Sequence, residues 1–293
     1  MASPFPTADS VLRLLEPDGS SPNLLWDRVF TGTYDKPFIV DSGRIRSLHF
    51  DLDCVQSSMD LDDPYELSLA YTRNMMAFLL FNSAPERILL LGLGGGSLAK
   101  FCYRQLPSSA ITVIEVNPDV LALRNAFRIP ADDARFRVVR EDACTYLGNL
   151  PYRKDVLLAD ACDREGIASG LNALEFYQNA WNGLSEHGVF VTNLCANQED
   201  CASHLTKIRR VFGEGYMQLS VRPDGNLIVL AFKERLENIE WDRLTSTADN
   251  LRREYRIPFP HYVRRMALDW KSRHRWTEPA VLSGRVSQSL IVR

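Results

Sequence analysis

The stretch Arg87–Asn117, RILLLGLGGGSLAKFCYRQLPSSAITVIEVN, decides the fold. Ile88–Leu91 is a short apolar run suited to a parallel strand buried on both faces. Gly92, Gly94, Gly95 and Gly96 follow, and they let the backbone turn and approach a ligand with no Cβ in the way. Ser97–Gln105 reads as a helix, and Ile111–Glu115 as a second strand that delivers Glu115 at its carboxyl end. Ligands of such sheets bind at the strands' carboxyl ends, where a carboxylate can accept hydrogen bonds from both ribose hydroxyls. The layout therefore implies a ribose-bearing ligand.

The glycines alone do not choose between cofactors. A hydride-transfer dinucleotide site expects G-x-G-x-x-G, and Ser97 stands where the third glycine belongs. Two further predicted strands shift the balance. Phe136–Arg140 leads into Glu141-Asp142-Ala143, and Asp155–Ala159 ends in Asp160. Glu115, Asp142 and Asp160 thus line one crevice with acids, which repels a pyrophosphate and suits a sulfonium cation with an adenosyl group. Asp142 can accept a hydrogen bond from an adenine amine, with Ala143 beside it. A dinucleotide, or glycines that serve helix packing only, are the weaker alternatives.

At Asp160-Ala161-Cys162-Asp163, following Val156-Leu157-Leu158-Ala159, the chain resembles the signature strand and loop of the spermidine synthase (polyamine aminopropyltransferase) family. The likeness continues through Gly166–Ala168 and Leu174-Glu175-Phe176-Tyr177 and spans roughly residues 25 to 232. Upstream, Gln56 and Tyr65, with acids between them, resemble the family's gate segment. The resemblance implies that Glu115 holds the ribose and Asp142 the adenine. It makes Asp163 the acid that takes a proton from the attacking amine, assisted by Tyr65, with Gln56 and Asp160 on the donor side. An amine attacks only when neutral, and a free alkylamine has a pKa of about 10, so a carboxylate at the pocket mouth has work to do.

The departures from the family bear on substrate. Where it places an aspartate in the glycine turn to grip the donor's ammonium, this chain has Gly95. Arg164 replaces a proline after Asp163, Arg222 stands for a substrate-side tyrosine, and Asn193 for a glutamine. Two guanidinium groups near an acceptor pocket disfavour a dication such as putrescine and suit an amine that carries a carboxylate. Three readings follow: aminopropyl transfer from decarboxylated S-adenosylmethionine, methyl or other alkyl transfer from S-adenosylmethionine, and a catalytically silent member. Family likeness places the first ahead. The small-molecule partner in either enzymatic reading is an amine acceptor.

Composition is that of a soluble chain: 293 residues, 45% hydrophobic and 24% charged, with a net charge of −3. Residues 233–293 hold thirteen Lys or Arg against eight Asp or Glu, a net of +5 that leaves −8 for the remainder. An acidic body suits a cationic ligand. The basic tail, with Trp270 and Trp276 among Arg264, Arg265, Lys271, Arg273 and Arg275, is a weak case for nucleic acid. The N-terminus lacks a signal-peptide pattern and no apolar run reaches eighteen residues, so a cytoplasmic location is expected, away from membranes. The six cysteines lack C-x-x-C spacing and the five histidines a ligand motif, so reduced thiols and no metal are expected.

The fold class expected is α/β, a Rossmann-like, methyltransferase-type, mostly parallel sheet with a small N-terminal β unit and a helical C-terminal tail. The boundaries are residues 1–62, 63–232 and 233–293. In the first unit Trp26–Tyr34, Pro37–Asp41 and Ile45–Phe50 read as strands, with a hairpin turn at Asp41-Ser42-Gly43-Arg44. They are too few for a core of their own, so they should pack on the main domain or on its copy in a homodimer. Asp63–Asn82 reads as one helix with Pro64 in its first turn, and Leu227–Phe232 as an antiparallel edge strand.

Overall fold

The computed structural model describes residues 10–17, 19–163, 166–167, 169–195, 201–221, 225–236 and 238–274. Its centre is a seven-stranded sheet of β5 (Arg87–Leu91), β6 (Ala110–Glu115), β7 (Phe136–Arg140), β8 (Lys154–Ala159), β11 (Leu184–Cys195), β12 (Tyr216–Val221) and β13 (Asn226–Phe232). The spatial order is β12-β13-β11-β8-β5-β6-β7. The pairs from β7 through β11 are parallel, while β13 runs antiparallel to both its neighbours. This is the mixed sheet of the Rossmann-like methyltransferase fold.

Alternation along the strands splits the core into two layers. Ile88, Leu90, Val156, Leu158, Val189, Val191, Ile228 and Leu230 face one cluster, while Leu89, Leu91, Leu157, Phe190 and Val229 face the other. The first layer is closed by α3 (Ser97–Gln105), α8 (Trp241–Tyr255) and α9 (Phe259–His274), and the second by α5 (Ala143–Gly148), α6 (Leu174–Gly183) and α7 (Cys201–Phe212). The C-terminal helices are thus core: Leu251, Phe259, Tyr262 and Met266 lie in the same cluster as Phe78 and Leu90. Arg273, read above as part of a basic stripe, donates to the Tyr216 carbonyl at 2.6 Å, pairs with Asp269 at 2.9 Å and lies 4.2 Å over the Tyr216 ring. Arg275 and Trp276 lie outside the described residues.

The N-terminal sheet is four-stranded, in the order β1 (Val11–Arg13), β2 (Phe38–Ser42), β3 (Ile45–His49), β4 (Val55–Asp60). The expected hairpin forms with Gly43 at φ +58 in its two-residue turn. Ile39, Leu48 and Met59 belong to the same cluster as Phe78 and Leu98, so this sheet packs onto the main body.

Several expectations are corrected. Trp26–Tyr34 is not a strand: α1 (Pro22–Phe30) occupies most of it, because proline opens the helix and Trp26 stacks on Phe30 one turn later at 5.5 Å. Strand β4 was not anticipated, because its VQSSMD lacks an apolar alternation and Ser57, Ser58 and Asp60 are themselves buried. Asp63–Asn82 is not one helix. Residues 62–69 form turns, α2 (Ala70–Met75) follows, and Met76–Leu80 tightens into a 3-10 turn. Arg73 donates to the Ser68 carbonyl at 2.8 Å and also to that of Leu67, which satisfies backbone groups that a helix would otherwise have paired. Pro64 therefore sits in a turn before the helix. Strand β13 is interior, covered on its outer side by β12, and β11 pairs irregularly with β8 between Leu184 and Val189.

Two short strands, β9 (Cys162–Asp163) and β10 (Gly166–Ile167), pair outside the main sheet. The remaining helix, α4 (Pro118–Ala122), is capped by the Asn117 side chain, which accepts from the backbone of Asp119 and Val120.

One buried cation marks the junction of the two sheets. Lys100, on α3, is 1% exposed and donates to the Phe127 carbonyl at 2.8 Å and the Met59 sulfur at 3.1 Å. Desolvation, with Arg128 nearby, pulls its pKa down from 10.5 to about 7. A folded-state pKa below the unfolded one gives stability that is full above about 10.5 and is lost as pH falls toward 7. Lys100→Met removes that loss. Its stability gain over the unmodified protein should grow as pH is lowered from 9.5 to 7, by up to about 1.4 kcal/mol per pH unit, and level off below, as read by urea denaturation. A gain independent of pH would show that Lys100 does not titrate in this range.

Candidate active site

The carboxyl ends of β5, β6, β7 and β8 meet around the glycine turn. The turn is shaped by Gly92 at φ +96, Gly94 at +51 and Gly96 at +71, all in the left-handed region that disfavours other residues. A Cβ on Gly92 would lie 2.9 Å from the Asp160 carbonyl carbon and closer still to its oxygen. The ends of β5 and β8 can therefore approach only with glycine here. The Gly92 amide donates to Ile114 at 2.9 Å and the Asp160 amide to Leu91 at 3.0 Å, extending the sheet to the turn.

Glu115 lies at the end of β6 with intermediate exposure. One carboxylate oxygen accepts from the Leu93 amide at 3.0 Å and the other from the Asn117 amide at 2.8 Å. The carboxylate is thus fixed beside the turn, and each oxygen keeps a second lone-pair direction for a diol. Val116, between Glu115 and Asn117, is 60% exposed and offers apolar surface at the same rim, a feature that sequence reading missed. Asp142 is exposed and caps α5, its Oδ1 accepting from the Thr145 amide at 2.8 Å and hydroxyl at 2.9 Å. Ala143 is the first residue of that helix.

At the end of β8 the Asp160 carboxylate accepts from Asn193 Nδ2 at 2.9 Å and from the Tyr71 hydroxyl. Burial pushes its pKa up, opposed by these two donors. Asn226 in turn donates to Asn193 Oδ1 at 2.9 Å, so the side-chain amide of Asn193 has its orientation set from both ends. The Tyr71 hydroxyl also lies 3.4 Å from the Gln56 carbonyl oxygen, which joins the N-terminal sheet to the line. Gln56, Tyr71, Asp160, Asn193 and Asn226 form one polar chain across the strand ends.

This placement corrects the tyrosine. Tyr65 packs under the Arg104 guanidinium, 5.0 Å from its ring, near the C-terminus of α3. At 1.5 Å per residue, Arg104 is about 10 Å along the helix from Ser97 at the turn. Tyr71, not Tyr65, reaches Asp160, because the turns at 62–69 replace the helix that would have oriented Tyr65. No local signal distinguishes the two tyrosines. The backbone of Asp163 lies in β9, its side chain lies outside the described residues, and Arg164 and Arg222 lie wholly outside them.

Gly95 and Gly96, read above as ligand-facing, are buried against protein. A Cβ on Gly96 would meet Ile129 at 2.6 Å, and one on Gly95 would meet Ser57 Oγ at 2.6 Å and the Phe127 ring at 2.9 Å. Gly92 and Gly94 are the half-open pair. Among the described residues no group of three His, Cys, Asp or Glu is gathered to hold a metal ion, and no helix is long and apolar enough to cross a membrane.

Comparison with known proteins bears on the family and the fold. Residues 68–223 match the spermine/spermidine synthase domain. A polyamine aminopropyltransferase of Chromobacterium violaceum is 36% identical over 78% of this chain and 88% of its own. An "eEF1A lysine and N-terminal methyltransferase" of Xenopus laevis is 27% identical over 59% of this chain, and the match spans 29% of that longer protein. Among solved structures, a probable spermidine synthase from Corynebacterium glutamicum superposes with a TM-score of 0.59 at 20% identity, covering 72% of this chain and 84% of its own, which shows the common fold.

The close approach at Gly92 yields a test. Gly92→Ala is expected to cost about 2 kcal/mol or more in stability, from backbone strain and the clash with Asp160 together. A denaturation midpoint equal to that of the unmodified protein would show that the turn can relax.

Proposed function

We propose that this chain, which belongs to the spermine/spermidine synthase family, moves a carbon group from the sulfonium of an S-adenosyl donor to the nitrogen of a small amine. The observation that carries this reading is Asp160, a carboxylate held at the strand ends by Tyr71 and Asn193, directly beside the Gly92 turn. In this reading Glu115 takes the ribose hydroxyls, Val116 lies along the adenine, and Asp142 accepts from the adenine amine.

The reaction needs little covalent help. The amine lone pair forms an N–C bond while the C–S bond breaks and its pair stays on sulfur, which leaves a neutral thioether. The new ammonium gives up a proton. Because the sulfonium is already a good leaving group, catalysis is mainly alignment of the reacting atoms and removal of a proton from an amine of pKa about 10. Asp160 orients the acceptor's ammonium, and Asp163, three residues on, accepts its proton, a role supported by the family resemblance. Aminopropyl transfer from decarboxylated S-adenosylmethionine is the form that the relatives' names support. Methyl transfer from S-adenosylmethionine is the second form, and the glycine at position 95, where the resemblance implies an aspartate for the donor's ammonium, supports it.

Asp163→Asn is expected to lower turnover roughly 10²-fold while methylthioadenosine affinity changes by only a few fold, the pattern of a lost proton acceptor. Tyr71→Phe should cost about tenfold, because Asp160 keeps its Asn193 bond. Unchanged turnover in Asp163→Asn would remove that acid from the mechanism. For the acceptor, Arg164 and Arg222 support an amine that also bears a carboxylate, which a guanidinium can bind bidentately. Assays with labelled donor should then show amino acids reacting ahead of putrescine. Efficient turnover of putrescine would restore an ordinary polyamine synthase.

A further inference from the structure

Three neighbouring strands change character at the same end of the sheet. The rows Val156-Leu158 on β8, Val189-Val191 on β11 and Leu230-Ile228 on β13 face the first core layer. Side chains two apart share a face, so the next members of these rows at the crevice are Asp160, Asn193 and Asn226. Asn193 lies one step beyond the Thr192–Ala159 pair, beside Asp160, and Asn226 lies diagonally from it, opposite Cys195. Three apolar rows thus end in polar groups that meet side by side.

Asn193 is 8% exposed, and a buried amide costs free energy unless both its ends are bonded. Both are. Asn226 Nδ2 donates to Asn193 Oδ1 at 2.9 Å, and Asn193 Nδ2 donates to Asp160 Oδ1 at 2.9 Å. The chain therefore has a direction: with its oxygen engaged by a donor, Asn193 turns its N–H toward Asp160. Tyr71 does not fix the charge of Asp160 by itself. Its hydroxyl has one proton and two acceptors, Asp160 and the Gln56 carbonyl at 3.4 Å. Given to Asp160, that proton favours a carboxylate; given to Gln56, it leaves an oxygen that accepts from a neutral Asp160. Glu115, across the Gly92 turn, is held by the Leu93 and Asn117 amides, and among the described residues no cation is paired with Asp160. Burial opposes the charged form, so the direction of the Asn193 amide tips the balance.

We propose that Asn226 is a positioning residue that fixes the direction of the Asn193 amide and so keeps Asp160 in the carboxylate form that an ammonium requires. The benefit to an amine acceptor rests on the proposed function, whereas the control of charge does not. An acceptor-only group at position 226 reverses the chain. Asn193 then gives its N–H to residue 226 and turns its oxygen to Asp160, where lone pairs face lone pairs unless Asp160 holds a proton. Hydrogen bonds to a carboxylate hold its pKa down, and their loss lets burial raise it. Asp160 is then ionised over a narrower range, and its hold on a cation is lost at a higher pH as acid is added.

Carbon-13 NMR of protein labelled at the aspartate carboxyl carbons, with Asp160→Asn to assign the signal, follows the titration of Asp160 directly. In Asn226→Asp, which keeps the shape and offers acceptors only, the midpoint is expected to rise by about one pH unit or more. Asn226→Leu removes the donor without adding charge, and the midpoint should rise there too, by less. In assays with labelled donor and whichever of putrescine or the amino acids the unmodified protein uses, the acceptor KM should begin to climb at a correspondingly higher pH, while methylthioadenosine binds as before. A midpoint unmoved in both variants, or moved in Asn226→Asp alone by its added charge, would overturn the inference. A midpoint that rises in both while the unmodified protein transfers to no amine would uphold the control of charge and overturn the proposed function.

Discussion

Everything at the candidate site depends on the ends of β5 and β8 coming closer than a side chain allows. Gly92 meets this constraint with an absent Cβ and a positive φ, so the Asp160 carbonyl packs against the turn. Two consequences follow. The Asp160 side chain is carried to the mouth of the crevice, and the Leu93 amide is aimed at Glu115 on the next strand. The acid on β6 and the acid on β8 are thereby set on either side of one backbone turn.

A second layer of order comes from the N-terminal sheet. Strand β4 contributes Ser57 against Gly95, the Gln56 carbonyl to Tyr71, and Met59 to Lys100. These contacts are mostly polar, yet they lie in a buried seam whose apolar members, Ile39, Leu48 and Met59, join the main core. The small sheet is therefore part of the site's scaffold. Buried polar groups cost free energy unless bonded, and here each of the residues named has a partner that also positions something else.

Charge is distributed to match. The strand ends carry Glu115, Asp142 and Asp160, which attract a cation, while the inner wall of the turn is neutral and backed by Lys100.

Much of the sheet was legible in the sequence. Strands β5 to β8 and helix α3 announce themselves as short apolar runs, glycines and amphipathic spacing, and Glu115 and Asp160 follow from their positions at strand ends. These signals are local: burial on both faces of a parallel strand needs continuous apolar residues, and a turn with positive φ needs glycine. Tertiary structure decided what local pattern could not encode. VQSSMD becomes a buried strand because its serines meet the glycine turn, Trp26–Phe30 is helical because its rings stack one turn apart, and β13 is interior because β12 pairs outside it. The exchange of Tyr65 for Tyr71 beside Asp160 has the same origin. Which tyrosine reaches a carboxylate 89 residues away depends on the turns that precede α2, and those turns are held by Arg73 bonding the carbonyls of Leu67 and Ser68. Gly95 states the division most plainly: the resemblance implies an acid at a position where the sequence has glycine, and only the packing of Ser57 and Phe127 shows that its place is filled.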